Sequence, residues 1–138
     1  MSDDSKAIEL QIDPDARLAA AAGGAVRCIA ESAGLADNAA TEFQKSIVAA
    51  CLESFGHLAG EQQHLKVTIT RFPDRIEVTL AHKSGTAPAV GLDRIAGLAD
   101  QLGAAGGLGG VDRVQYETRD GLVVTRLTKY LGPGPKIQ

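Results

Sequence analysis

At 138 residues, with 44% hydrophobic and 22% charged side chains, the chain has the size and balance of one folded domain around a single core. A net charge of −3 and the lack of any extended basic run argue against a nucleic-acid partner, which needs clustered Lys and Arg. No segment reaches the roughly 18 consecutive apolar residues of a membrane-spanning helix, so no membrane partner is expected.

The first residues, "MSDDSKAIEL", lack the apolar stretch of a secretory leader, and residues 1–7 read as a flexible tail. "IELQI", Ile8 to Ile12, alternates apolar and polar and predicts a short strand. "DPDARL" then predicts a helix start, with Asp13 as N-cap, Pro14 in the first helical position and Asp15 in the first turn. This helix should run to about Ala33 and end at Gly34. Gly23 and Gly24 in its middle cost about 1 kcal/mol each against Ala, which implies close packing against that turn.

A second helix is expected from about Asn38 to Leu58, capped by Asp37 and stopped by Gly60. On a wheel of 100° per residue, Phe43, Ile47, Val48, Cys51, Leu52 and Phe55 fill one broad apolar arc. Glu42, Ser46, Ala49, Glu53 and His57 form a narrow stripe opposite it. Cys28 and Cys51 lie in these helical patterns without metal-type spacing and read as reduced core thiols, which fits a cytoplasmic protein.

"HLKVTITRF" and "RIEVTLAH" alternate strictly around a Pro73–Asp74 turn and predict an antiparallel hairpin with one buried face. A loop, "KSGTAPAVG", leads to a shorter helix, Leu92 to Leu102. "GAAGGLGG", residues 103–110, must be mobile or closely approached by another group. "VDRVQYET" and "LVVTRLTKYL" around "RDG" predict a second hairpin, and 132–138 reads as a flexible tail. The expected fold is a single α+β domain. It is a two-layer α/β sandwich, its mixed, mostly antiparallel sheet covered on one face by about three helices.

Several residues could carry chemistry. Glu53 and His57, four apart on one helix, can touch, so the acid can orient the imidazole; a solvated pair is the plainer reading. A metal site would join His57 to His64, His82 or Cys51, but no HxxxH, CxxC or HExxH spacing supports one. The glycine run lacks the GK[ST] of a phosphate loop and precedes a strand, so it reads as a connection. Gly91 stands directly before a helix, where free N–H groups can meet an anion, though a plain helix start explains it equally well.

From Ile8 to Leu131, the order of elements, the hairpins and the polar stripe resemble the anti-sigma-factor serine kinases of the GHKL superfamily of histidine-kinase-like ATPases. That family's second long helix carries E-A-x-x-N-A-x-x-H-A, with Glu as general base and Asn holding magnesium. "AACLESFGHLA" lies along it without a gap, placing Ala49 at the Glu, Glu53 at the Asn and His57 at the His. The family's D-x-G-x-G, whose Asp holds adenine, is met by "LAHKSGTAP". His82 stands at the Asp, Ser84 and Thr86 at the glycines, and Gly85 survives nearby. G-x-G-L is reduced to Gly91–Leu92, followed by "LAD", Leu98 to Asp100.

The resemblance implies a Bergerat-like fold whose nucleotide chemistry has been lost, so no catalytic residue is assigned. Glu53, His57, His82, Gly85 and Gly91 outline the remnant of a nucleotide pocket. No cofactor is expected; the alternative is ATP with Mg²⁺, Glu53 taking the metal as an oxygen ligand. The implied function is a regulatory binding module akin to an anti-sigma factor or partner-switching protein. Its implied partners are a sigma factor, an anti-anti-sigma protein and a second copy in a homodimer. The alternatives are a serine kinase with altered motifs, acting on an anti-anti-sigma protein, and a small-molecule sensor using the old pocket.

Overall fold

The computed structural model describes residues 6–58, 64–83, 109–119 and 121–131. They form β1 (Lys6–Ile12), α1 (Ala16–Ser32), α2 (Asp37–Phe55), β2 (Leu65–Arg71), β3 (Arg75–Lys83), β4 (Arg113–Arg119) and β5 (Leu122–Tyr130). The strands make one open sheet in the order β1-β2-β3-β5-β4. This is the α+β sandwich expected, with one correction: every pairing among the described residues is antiparallel, so the sheet is not mixed there. The expected third helix, Leu92 to Leu102, lies outside the described residues.

Strand alternation decides which face is covered. Leu65, Val67 and Ile69 of β2 and Ile76, Val78 and Leu80 of β3 are fully buried, and they meet in register as Val67–Leu80, Ile69–Val78 and their neighbours. Against them pack Ala19, Ala22, Val26 and Ala30 of α1 and Ala40, Phe43, Ile47 and Cys51 of α2. The reverse face carries charge: Lys66 pairs with Glu9 at 3.1 Å, and Glu77 lies between Arg75 at 2.9 Å and Arg126 at 3.8 Å. The exposed Lys66–Glu9 pair stabilises little, whereas the partly buried Arg75–Glu77–Arg126 group is less screened by solvent.

The boundaries of α1 differ from the sequence reading at its start. Asp15, not Asp13, is the N-cap: its backbone is extended and its carboxylate accepts the Arg17 N–H at 2.9 Å. Asp13 has another task, bonding to His64 Nδ1 at 2.7 Å and tying the end of β1 to the start of β2. The other end is as expected. Gly34 adopts φ +96°, and the Leu35 and Gly34 amides donate back to the carbonyls of Ala30 and Glu31, each at 3.0 Å. β1 also starts at Lys6, so residues 6 and 7 belong to the sheet rather than to a tail.

Helix α2 starts at Asp37 itself, with Ala36 as a cap that offers no side chain, and it ends at Phe55 with Gly56 as C-cap. The expected end at Leu58 is therefore one turn too late, and Gly60 lies outside the described residues. Asp37 instead receives Arg27 at 2.9 Å; the same guanidinium reaches Glu31 at 3.1 Å and Gln44 at 3.2 Å, clamping the two helices at their junction. The close approach expected at the glycine pair occurs at Gly23 alone, where a Cβ would collide with Val48 and press on Gln44; beside Gly24 there is open space. Cys28 faces solvent, against expectation, while Cys51 is buried and its thiol is pushed up to about 12 by desolvation. No described helix is long and apolar enough to cross a membrane.

Candidate functional site

The candidate site lies where the second half of α2 runs over the sheet beside the end of β3. The stripe expected on α2 survives only in part. Glu53 is exposed, His57 half-buried just beyond the helix end and Ala49 half-buried, but Ser46 is 2% exposed and belongs to the interior. The polar face is thus rotated away from Ser46, and the buried arc runs through Phe43, Ser46, Ile47, Ala50 and Cys51. Leu52, expected in that arc, is 45% exposed.

Ser46 is buried because it has a partner. Its hydroxyl oxygen accepts the Gly110 N–H at 2.8 Å across a sequence separation of 64 residues. Gly110 sits directly on the α2 backbone: a Cβ there would run into the Glu42 carbonyl and lie 2.6 Å from the Phe43 nitrogen. The chain entering β4 therefore crosses α2 between Glu42 and Ser46, one to two turns before Ala49. Sequence reasoning left residues 103–110 as either mobile or closely approached, read them as a connection, and missed Ser46 as the group that receives Gly110.

His82 continues the buried row of β3 after Ile76, Val78 and Leu80, opposite Val123 of β5, and is 7% exposed. Its Nδ1 lies 3.0 Å from the Lys83 carbonyl. A carbonyl only accepts, so Nδ1 carries the proton, and in the neutral ring Nε2 keeps its lone pair. Burial is the main cause that holds this imidazole below the ordinary histidine range. The bond to Lys83 acts the other way, and the charge of nearby His57, when protonated, adds a smaller push downward.

The sign of the resulting pH dependence follows from that direction. With the folded value below the unfolded one near 6.5, the unfolded chain binds more protons in the intervening window. His82 therefore contributes stability that is fully present above that unfolded value and is lost as pH falls toward the folded one. Melting temperatures followed from pH 7.5 down to 5 should show this slope, and His82→Gln should flatten it. An unchanged slope in the variant would remove His82 from the account.

His57 lies near enough to His82 for its charge to act on that ring, while His64 is held by Asp13 at the start of β2. Among the described residues no three His, Cys, Asp or Glu side chains gather to hold a metal ion. Gly85 and Gly91, with Ser84, Thr86 and the Leu98–Asp100 stretch, lie outside the described residues. At Ala49 the helix presents only a methyl group, and at Glu53 a solvated carboxylate. A scan against protein-family models gives no match for this chain, and a search of curated proteins gives none.

Proposed function

We propose that the protein is a cytoplasmic regulatory module that resembles an anti-sigma factor or partner-switching protein and binds its partners without transferring phosphate. The supporting observation is the chemistry of α2 from Ser46 to His57. A phosphoryl-transfer site needs a residue that takes the proton of the attacking hydroxyl and ligands that hold Mg²⁺ against the phosphates. Ala49, aligned with the family's base, has no proton acceptor, and Ser46 commits its oxygen to Gly110. His82, aligned with the residue that holds adenine, is a neutral ring anchored to its own backbone. The packing of α2 on the sheet is kept, while the groups that would run the reaction are replaced. On this reading the partners are a sigma factor or an anti-anti-sigma protein.

Two measurements test the proposal from opposite sides. Mg-ATP at about 100 times a working dissociation constant would add about 2.7 kcal/mol to the stability of a protein that binds it. The expected result is no shift in melting and no label passed from ATP to a companion protein; transfer of label to a serine would end the proposal. Affinity purification from the native cytoplasm should recover a sigma factor or an anti-anti-sigma protein, and recovery of neither would count equally against it.

A further inference from the structure

Strand β1 closes one side of the sheet: among the described residues it pairs with β2 alone, and the N–H and C=O groups on its outer side meet no other strand. Such an edge accepts a further strand unless charge or proline defends it. β1 has no proline, and its one acid, Glu9, is turned to the solvated face, where Lys66 holds it. The edge across the sheet is better defended, because β4 carries an exposed Arg113 and a Glu117 engaged by Arg126.

Two features of the core-facing side of β1 specify what an added strand must carry. Lys6, Ile8 and Leu10 share that side with Ile69 and Val67 of β2; Ile8 is 47% exposed and Leu10 half-buried. Helix α1 rests on β1 and β2. Its stripe of Leu18, Ala25 and Ile29 lies about 90° around the helix from Ala19, Val26 and Ala30, on the side away from Gly23, which meets α2. The stripe is half-buried, so an apolar trough runs between the flank of α1 and the edge of β1. The trough ends on charge. Lys6 stands directly opposite Arg71, two cations in register that disfavour one another, and neither has a carboxylate partner among the described residues.

We propose that the outer edge of β1 is a docking site for an extended segment of a different protein, which joins the five-stranded sheet as one more antiparallel strand. The segment sets apolar side chains opposite Leu10 and Ile8, over the trough, and an acidic one opposite Lys6, where its charge offsets the two cations. A basic side chain opposite Glu9 completes the pattern. A second copy of β1 does not supply it. The residues it would turn to this side are Lys6, Ile8, Leu10 and Ile12, so no register that keeps the faces matched sets a carboxylate against Lys6. The site shares no residue with α2 and stands apart from the reading of that helix.

The probe is the heptapeptide Thr-Thr-Val-Lys-Ile-Thr-Glu, capped at both ends and titrated to about 1 mM against the intact, isotope-labelled chain. Amide shifts and hydrogen exchange then report on β1 directly. In the free chain the outward amides of β1 should exchange fast at every protein concentration. The peptide should slow them and should shift Lys6 to Ile12 more than any residue of β4. Lys6→Glu should weaken the peptide about fivefold or more, and a peptide ending in lysine should regain binding to that variant. Ile8→Lys, which sets a charge in the trough, should abolish binding. Outward amides already protected in the free chain, protection that grows with protein concentration, shifts no larger at β1 than at β4, or failure of the charge exchange would each overturn the proposal.

Discussion

Gly110→Ala should destabilise the protein by about 3 kcal/mol or more, a loss that few single methyl additions reach. The added Cβ would overlap the Glu42 carbonyl and press on the Phe43 amide, backbone atoms in the first half of α2 that cannot swing aside as a side chain could. Relief requires lifting the chain before β4 off the helix, and that also breaks the 2.8 Å bond from the Gly110 N–H to Ser46. Ser46→Ala separates the two effects. It removes only the acceptor, leaves a buried amide unpaired and should cost about 1–3 kcal/mol. Urea unfolding of both variants gives the comparison. If Gly110→Ala proves milder than Ser46→Ala, the helix crossing is not close-packed, and α2 would be more open before Ala49 than the geometry gives.

That crossing also shows where the sequence stops being informative. Both hairpins are readable because a period-two pattern around a turn is local: Leu65, Val67 and Ile69 face inward together whichever strands lie beyond. Their arrangement in the sheet is not local. The placement of β5 between β3 and β4 depends on which edge of the second hairpin docks, and alternation is the same for either. The cap of α1 misled for a related reason, since Asp13 and Asp15 are equally good caps and the choice is made by His64, 51 positions away. At the candidate site, the burial of His82 followed from its place in the β3 alternation, while the fate of Ser46 depended on a glycine 64 positions distant. A hydroxyl on a helix wheel reads as solvent-facing until its partner is known.

Phe43→Ala should cost about 3–5 kcal/mol, the range for deleting a fully buried aromatic ring, whereas Leu52→Ala should change stability by only about 0.5 kcal/mol or less. The wheel alone puts both residues in the apolar arc of α2. In the structure the arc is rotated, because small residues, Ala40, Ser46 and Ala50, decide which side of the helix can approach the sheet. Phe43, Ile47 and Cys51 fill the space behind them, and Leu52 is left 45% exposed. Equal losses in chemical denaturation for the two variants would mean the helix sits in the orientation of the wheel, with Ser46 turned outward and free. The same rotation places Ala49 and Glu53, rather than the Ser46 hydroxyl, on the outer side of the helix. A large gap between the two variants would fix α2 in the orientation that buries Phe43 and Ser46 and leaves Leu52 and Glu53 outside.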